Sequence, residues 1–454
     1  MRLRLLALLL LGAPAAAGAQ GPPRESLAVR IDAIARVAMD EEHIPGLSIA
    51  VVRGPDTIVA RGWGWADLEL RVPASAETVY RIGSLTKQFT ALAILQLAEQ
   101  GRLSLDDTLQ RFVPSFRTPG RHITIRHLLT HTSGIPNYTA IGQEWTRRMR
   151  LDLPPDSLLA LVRRRPPDFA PGARFHYSNT NYFLLGLVIE RVSGEPYARY
   201  IQEHIAAPLG LARTTYCDTR RILPGRAEGY TQDTSGTVHA DFISMDLPYA
   251  AGALCSTVLD LITWQRALWS DRLLQTGGYN TMSTPGQLTN GNRTVYGFGL
   301  GIGSLEGHRV VQHSGGINGF ASALVTLPDD TLIIAVLTNS EDANATRVAQ
   351  RVARAALGLP EPVVRDLPLT AAERAAYEGT YQLRDLQLRV FARGDSLLAQ
   401  GAGQASFGLL AQGEHTFVAT FDPETRVVFE MDGGHARALS WTQGGVTTRA
   451  ARVR

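Results

Sequence analysis

Segments of strand character lie near both ends of residues 43–338, on either side of a long stretch, residues 106–270, with mostly helical spacing. The predicted strands are Gly46–Val52, Thr57–Ala60, Val295–Ile302, Arg309–His313, Phe320–Leu327 and Leu332–Thr338. This order requires one sheet that is assembled from both ends of the domain. The prediction is therefore a three-layer α+β fold, in which an antiparallel sheet is flanked by helices and a helical lobe is inserted between its strands.

Helical spacing is clearest over Leu27–Glu42 and over Ser84–Gln100, where Gly101 ends the second helix. The second helix is apolar on nearly every side, which indicates that it is buried. Residues in its first turn are then held rigidly. Further helices are predicted over Asp156–Arg164, Asn181–Val192, Tyr197–Ala206, Thr257–Leu268 and Ala343–Leu357.

A proline-rich segment, Pro360–Pro368, separates this domain from a different pattern. Beyond it, short alternating strands are predicted over Leu386–Phe391, Ser396–Ala399, Thr416–Phe421, Arg426–Met431 and Arg437–Thr442. We therefore expect a main domain over residues 25–358, a linker over 359–369 and a small antiparallel β-barrel-like domain over 370–454.

The first residues resemble a secretory signal. Arg2 and Arg4 precede the apolar run Leu5–Leu11, and small residues follow as far as Ala19, so the prediction is a signal peptide over residues 1–19 that is cleaved after Ala19. No cysteine follows the apolar run, which argues against a lipid anchor. No later apolar stretch reaches the roughly 18 residues of a membrane span. The expected location is the periplasm or the exterior, in soluble form.

Charge is nearly balanced, with 45 Lys+Arg against 42 Asp+Glu in 454 residues. No broad basic surface is indicated, so nucleic acid is not an expected partner. The expected partner is a small-molecule or peptide substrate, and no cofactor or metal is predicted. Oligomeric state stays open.

Two cysteines are present, Cys217 and Cys255. In an oxidising compartment an isolated pair suggests one disulfide, which would stabilise the fold by about 3–4 kcal/mol through loop entropy. Two separate buried thiols are the alternative.

Lys87 is the single lysine among the 45 basic residues, and all the others are arginine. An arginine side chain is always protonated, whereas a lysine can lose its proton when it is desolvated. A chain that uses arginine everywhere else indicates a need for a deprotonable amine at this position.

Ser84 and Lys87 stand three residues apart at a helix start, so their side chains share one face. A serine hydroxyl is a weak nucleophile and needs a base within hydrogen-bond reach. Lys87 can serve once burial lowers its pKa, and the helix N-terminus favours both its deprotonation and a developing oxyanion. Ser84-x-x-Lys87 alone is weak support.

Two further segments carry suitable groups. Tyr177 offers a phenol for proton transfer and Asn179 an amide, although a half-buried aromatic and a helix N-cap are equally good interpretations. His313-Ser314-Gly315-Gly316 ends a predicted strand, where glycines allow a substrate to lie against the backbone and free an N–H for an oxyanion.

Together, Ser84-x-x-Lys87, Tyr177-x-Asn179 and His313-x-Gly315 resemble the three motifs of the penicillin-recognising serine hydrolases, specifically the class C β-lactamase-related family. That family includes class C β-lactamases, D-alanyl-D-alanine carboxypeptidases, D-aminopeptidases and esterases. The resemblance covers roughly residues 25–358 and implies a β-lactamase/transpeptidase-like fold. The segment after Pro368 resembles the lipocalin-like barrel often appended to these hydrolases.

The resemblance implies roles for these residues. Ser84 would be the acyl-enzyme nucleophile, Lys87 and Tyr177 would share the proton transfers, and Asn179 would bind the substrate amide. The N–H groups of Ser84 and Gly316 would form the oxyanion hole. Class C β-lactamases usually carry Lys-Thr-Gly where this chain has His313-Ser314-Gly315, which favours carboxypeptidase- or esterase-like substrates over β-lactams.

Three alternatives stay open. A class C-type β-lactamase is one, and a penicillin-binding or sensor module that turns over slowly is another. His127 and His131, four residues apart, could suggest zinc, but Leu128 stands where a metalloprotease helix needs glutamate. A structural turn before Gly134 is the simpler interpretation.

Overall fold

The structure is a computed structural model that describes residues 26–116, 118, 120–275, 277–383, 386–401, 406–420, 422–443 and 446–453. The predicted signal peptide, residues 1–19, lies outside the described residues. Within the described parts of the chain, no helix is both long and apolar enough to cross a membrane.

Seven helices of the first domain correspond to the predicted segments and follow the predicted order, while six short helices of this domain and one that precedes the C-terminal strands were not predicted. Their bounds are α1 (Leu27–Glu41), α2 (Thr86–Glu99), α3 (Leu109–Phe112), α4 (Ile125–Leu129), α5 (Gln143–Arg148), α6 (Pro155–Arg163), α7 (Asn179–Ser193), α8 (Tyr197–Ile201), α9 (Ala207–Leu209), α10 (Tyr249–Gly252), α11 (Val258–Trp269), α12 (Gly278–Met282), α13 (Ala345–Leu357) and α14 (Ala371–Tyr377).

The strands fall into a large sheet, two small sheets and a barrel. Their bounds are β1 (Gly46–Arg53), β2 (Asp56–Asp67), β3 (Val72–Pro73), β4 (Tyr80–Arg81), β5 (Thr215–Tyr216), β6 (Tyr230–Asp233), β7 (Gly236–His239), β8 (Leu254–Ser256), β9 (Gly301–Leu305), β10 (His308–Ile317), β11 (Phe320–Leu327), β12 (Leu332–Thr338), β13 (Gly379–Leu383), β14 (Leu386–Arg393), β15 (Ser396–Gly401), β16 (Ser406–Gly413), β17 (Thr416–Ala419), β18 (Asp422–Asp432), β19 (His435–Gln443) and β20 (Val446–Val453).

The large sheet has the order β3-β2-β1-β12-β11-β10-β9 and is antiparallel throughout. β1 lies between β2 and β12, with Leu47 opposite Thr338 and Arg53 opposite Leu332. The two ends of the first domain therefore meet in one sheet, and the predicted fold class is confirmed.

Helices cover both faces of this sheet. α1 and α13 pack on one face, and α11 packs against β1 and β12 on the other, where the core continues into α2 and α7. β11 and β12 are buried at every position because both of their faces are covered, which explains their continuous apolar sequences. α2 is buried almost along its whole length, as its composition predicts.

Two details near the end of the sheet differ from the sequence prediction. The predicted strand Val295–Ile302 is wrong in its first part, since β9 begins at Gly301 and glycine-rich irregular backbone precedes it. β10 does not end at His313 but continues to Ile317, because residues 313–317 remain paired with β11. The β9–β10 ladder stops at Gln312, so the last part of β10 borders β11 alone in this sheet.

The C-terminal strands β13–β20 form a closed antiparallel barrel in which β13 pairs with β20. Side chains such as Tyr381, Phe417 and Phe429 fill its interior. The barrel contains two strands that the sequence did not predict, β16 and β20. The structure also adds α14, which begins with a capping box formed by Thr370 and Glu373.

Arg354 joins the two domains. Its guanidinium, 4% exposed, forms ion pairs with Glu306 in the β9–β10 turn and with Glu424 of the barrel strand β18. It also donates a 2.9 Å hydrogen bond to the Pro360 carbonyl. One buried cation thus ties the sheet edge, the proline-rich segment and the barrel together.

Candidate active site

Ser84 lies in a single 3₁₀ turn, Gly83–Leu85, immediately before α2. Gly83 has φ +50°, and a Cβ there would come within 3.0 Å of the Gly316 nitrogen. Only glycine allows this turn to approach the backbone of β10 so closely. The local sequence therefore places Ser84 beside the strand that carries His313–Gly316.

Lys87 follows one turn later, and its side chain is completely buried. Its Nζ lies 2.9 Å from Ser84 Oγ, 2.8 Å from Asn179 Oδ1 and 2.7 Å from the Ala251 carbonyl oxygen. Each of these partners is electrically neutral. Burial without a counter-ion lowers the pKa of the Lys87 amine well below its ordinary value.

The segment Tyr177–Asn179 leads into α7, of which Asn179 is the first residue. The Asn179 side chain accepts from Lys87 through Oδ1 and donates to Thr139 Oγ1 through Nδ2 at 3.1 Å. Ser178, rather than Asn179, occupies the N-cap position, so the N-cap interpretation of Asn179 is wrong.

Tyr177 lies over the lysine, with 4.8 Å between the centre of its ring and Lys87 Nζ. Burial raises the pKa of the Tyr177 phenol well above its usual range, and a hydrogen bond with Ser84 offsets part of this effect. The phenol is therefore protonated. Its hydroxyl contacts the Ser84 hydroxyl, and its ring lies against the Lys87 amine.

The glycines of β10 serve two different purposes. A Cβ at Gly315 would lie 2.1 Å from the Ile82 carbonyl oxygen, so Gly315 allows the strand to pack against the residues before Ser84. A Cβ at Gly316 would meet no atom within 4 Å among the described residues. Gly316 therefore faces open space in the cleft, and Ser314 is exposed beside it.

His313 is buried under the cleft, and its ring lies 6.1 Å from that of Tyr177. Nε2 is 2.8 Å from the Tyr296 hydroxyl and Nδ1 is 2.6 Å from the Ser314 carbonyl oxygen. The network assigns the proton to Nδ1, which leaves Nε2 to accept from the tyrosine. Burial and the nearby Lys87 lower the pKa of His313 to about 3, so the ring is neutral at pH 7.

These groups border a cleft of about 230 Å³ between the sheet and the helical lobe. The lining comprises Gly83, Ser84, Tyr138, Thr139, Trp145, Asn179, Ile243, Pro248, Ala251, Gly252, Gly316, Ile317 and Asn318. Lys87 and His313 lie behind this surface. The structure therefore brings Ser84, Lys87, Tyr177, Asn179 and the β10 segment to one place.

A family model described as Beta-lactamase matches residues 31–359, which contain every residue of this cleft. This chain belongs to the beta-lactamase family.

Similar proteins agree with this assignment. Penicillin-binding protein 4* of Bacillus subtilis (strain 168) is 28% identical over 84% of this chain and 89% of its own length. The octameric penicillin-binding protein homologue of Pyrococcus abyssi is 28% identical, with a TM-score of 0.68 over 93% of this chain and 99% of that one. A D-stereospecific amidohydrolase from Streptomyces sp. is 32% identical, with a TM-score of 0.62 over 73% and 98% of the two chains. The protein is a serine hydrolase of the beta-lactamase family.

Among the residues of this beta-lactamase-family domain that the sequence did not assign to the site, His131 lies next to the predicted Tyr177. His131 is completely buried, and its ring lies 4.3 Å from that of Tyr177. Its Nδ1 accepts from the Ser178 backbone N–H and from the Asn181 amide, both at 3.2 Å. His131 thus fixes the backbone between Tyr177 and Asn179. Its position in His131-Thr-Ser-Gly134 is the only sequence signal, and it does not reveal this contact.

His127 and His131 have different surroundings despite their helical spacing. His127 Nδ1 accepts the Thr124 backbone N–H at the start of α4, whereas His131 lies among the aromatic rings of the cleft floor. The two rings do not share a candidate metal centre: the cluster of three possible metal ligands in the described chain is Glu195, Glu203 and His204, at the surface.

Cys217 and Cys255 form a disulfide with 5.2 Å between their Cα atoms. Cys255 lies in β8, which pairs with β4 just before the Ser84 turn, and Cys217 directly follows β5 on the other side of β8. The crosslink therefore holds the small sheet that supports the nucleophile candidate.

Proposed function

We propose that the protein hydrolyses amide or ester bonds through an acyl-enzyme on Ser84. The observation that carries the proposal is the environment of Lys87, whose Nζ has three close partners and no charged one. A neutral amine has two N–H groups and one lone pair. If the two N–H groups are donated to Asn179 Oδ1 and to the Ala251 carbonyl, the lone pair remains for the Ser84 hydroxyl proton.

The first half-reaction follows from this geometry. Ser84 Oγ attacks the substrate carbonyl while Lys87 takes its proton, and the carbonyl oxygen becomes an oxyanion. The N–H groups of Ser84 and Gly316 are proposed to donate to that oxyanion, supported by the close approach of Gly83 to the Gly316 backbone. The tetrahedral intermediate then expels the amine or alcohol and leaves an ester on Ser84.

Tyr177 is proposed to pass a proton to the leaving group. Its phenol contacts Ser84 and its ring lies against Lys87, so the proton taken by the amine has a short route to the departing nitrogen or oxygen. In the second half-reaction water donates a proton to the same pair and attacks the ester. The acid is released and Ser84 recovers its hydroxyl, so no co-reactant beyond water is needed.

Amides, peptides or esters of D-amino acids are the proposed substrates. The 32% identity with a D-stereospecific amidohydrolase supports this class. β-Lactam hydrolysis is less favoured, because His313 is neutral and hydrogen-bonded to Tyr296, and so offers no positive charge for a carboxylate. Residues 25–358 are proposed as the catalytic unit and residues 370–454 as an accessory barrel beyond the linker 359–369. The disulfide supports a periplasmic or secreted location.

Mass spectrometry of the intact protein tests the proposal. Incubation with p-nitrophenyl acetate is expected to release p-nitrophenol and, after rapid quenching in acid, to show a mass increase of one acetyl group on Ser84. Ser84→Ala is expected to abolish both, whereas Ser270→Ala, at the end of α11, is expected to retain both. Release by Ser84→Ala at the wild-type rate would refute the proposal. A penicillin adduct that persists for hours would support a slowly turning-over sensor instead.

A further inference from the structure

The cleft presents no charged side chain among the residues that line it. Tyr138, Trp145 and Ile243 form an apolar part of its wall, and the rings of Tyr138 and Trp145 are tilted against each other with 5.4 Å between their centres. Ile317 continues this surface at the end of β10. A substrate in the cleft therefore contacts uncharged side chains and backbone.

The polar side chains of the cleft already have partners within the protein. Asn179 uses both ends of its amide, on Lys87 and on Thr139. Asn318 donates to the Asp241 carbonyl oxygen at 3.0 Å, and the Tyr138 hydroxyl donates to the Leu247 carbonyl oxygen at 2.7 Å. These groups lose a hydrogen bond if they turn toward a ligand.

Two further groups nearby could carry positive charge, and the protein keeps both of them neutral. Burial lowers the pKa of Lys87 well below its ordinary value, and its N–H groups have neutral acceptors. Burial also lowers the pKa of His313 to about 3, and Tyr296 and the Ser314 carbonyl occupy its two nitrogens. Neither group can balance a substrate carboxylate.

We infer that the cleft discriminates against substrates that carry a carboxylate next to the scissile carbonyl, on either side of it. The inference rests on the proposed function and narrows it to amides and esters without such a carboxylate, away from peptides with a free C-terminal carboxylate. The physical reason is that a carboxylate entering this cleft gives up water without gaining a cation, which is unfavourable.

Two pairs of activated esters test each side of the carbonyl with one charge difference. On the acyl side, p-nitrophenyl butyrate is compared with p-nitrophenyl hemisuccinate. On the leaving-group side, phenyl acetate is compared with 3-carboxyphenyl acetate. The neutral member is expected to have at least tenfold higher kcat/KM in both pairs, after correction for spontaneous hydrolysis, which corresponds to about 1.4 kcal/mol.

A charge placed in the cleft should reduce this preference. Ile317→Arg introduces a cation beside Gly316 and is expected to lower the neutral-to-anionic ratio at least threefold in one or both pairs. Val363→Arg adds the same charge at a position that is 77% exposed in the linker and outside the cleft lining, and it is expected to leave both ratios unchanged.

The outcomes separate this inference from the proposed function. Equal or faster reaction of the anionic esters would overturn the inference, while an acyl adduct on Ser84 in the same experiment would uphold the proposed function. An unchanged ratio in folded Ile317→Arg would also contradict the inference. Release no faster than that of Ser84→Ala with every ester would instead refute the proposed function, and the inference with it.

Discussion

The cleft and the domain junction each bury a basic side chain, and the surroundings of the two side chains are opposite. In the cleft, Lys87 is completely buried and its partners are a hydroxyl, an amide oxygen and a backbone carbonyl. At the domain junction, Arg354 is 4% exposed and has two carboxylates, Glu306 and Glu424.

The difference is visible in the protonation of the two groups. Burial lowers the pKa of Lys87, whereas hydrogen bonds and charge from Glu306 and Glu424 more than offset burial and raise the pKa of Arg354. Burying a charge is costly unless it is paired with an opposite charge. Arg354, which has two carboxylate partners, therefore stays charged, whereas burial favours the neutral form of Lys87. A buried base without a counter-ion indicates proton transfer, and a buried base with carboxylates indicates assembly.

The largest expected effect is a loss of activity when Lys87, the buried base of the cleft, is replaced by a permanently charged side chain. Lys87→Arg retains a cation that cannot release its proton at neutral pH, so acylation of Ser84 should fall about 10²- to 10⁴-fold, the contribution of a general base. The measurement is kcat/KM with p-nitrophenyl acetate, together with the melting temperature. A well-folded Lys87→Arg protein that keeps more than about a tenth of the wild-type kcat/KM would show that Lys87 is not the base.

At the junction the expected effect is on stability rather than on activity. Arg354→Met removes the shared cation and leaves two carboxylates near each other, which should lower the free energy of unfolding by about 1–3 kcal/mol. Urea unfolding measures this change, and kcat/KM should stay within about threefold of wild type. Glu424→Gln keeps the size of the side chain and should have a smaller effect. If Arg354→Met lost as much activity as Lys87→Arg, Arg354 would have a role in activity as well as in stability, and the contrast between the two sites would be wrong.

The pH dependence of stability sharpens the comparison further. In the unfolded chain Lys87 is protonated below its ordinary pKa of 10.5, whereas in the folded protein its pKa is lower. Between these two values the unfolded chain binds one more proton, so this group makes folding more favourable as pH rises. The free energy of unfolding of wild type relative to Lys87→Met should rise by up to about 1.4 kcal/mol per pH unit in that interval.

Urea unfolding of both proteins at pH 7, 8 and 9 gives these slopes. Arg354→Met should show no such difference, because arginine is charged in both states throughout this range. Parallel slopes for wild type and Lys87→Met would indicate that Lys87 is protonated in the fold.

The smallest expected effect concerns His131. Its Nδ1 accepts from the Ser178 N–H and from the Asn181 amide beneath Tyr177. Loss of both contacts in His131→Phe should lower kcat about tenfold, equivalent to about 1.4 kcal/mol, with little change in KM. His131→Asn restores an acceptor and suits the positive φ of 56° at this position, so it should recover much of kcat. Equal losses in both variants, with unchanged melting temperatures, would exclude the acceptor role.

The sequence allowed the sheet to be predicted where burial is complete. β11 and β12 have the predicted bounds because both faces require continuous apolar residues. The stretch before Gly301 was predicted as a strand because its apolar residues alternate with glycine, but those glycines serve irregular backbone. α14 is too short for a helical pattern, although its Thr370–Glu373 capping box could have revealed it.

For the active site, the sequence revealed the chemistry of single residues but did not reveal which residues contact one another. The solitary Lys87 and its spacing from Ser84 are visible in the sequence. The uncharged acceptors of the Lys87 amine, Asn179 Oδ1 and the Ala251 carbonyl oxygen, are 92 and 164 residues away in the sequence. No local sequence pattern connects them to Lys87. The same holds for the pairing of Arg354 with Glu424, since an arginine-rich chain gives no reason to single out one of its cations.

The pairing of β20 with both β13 and β19 has a consequence for the solution behaviour of the chain. A closed barrel presents no strand edge, and an unpaired edge is a template for association with other chains. Loss of β20 would expose the edges of β13 and β19 at once, over a wall whose interior is aromatic and aliphatic. The final strand thus protects the protein from aggregation, and proteolytic trimming there would be more damaging than its distance from the cleft suggests.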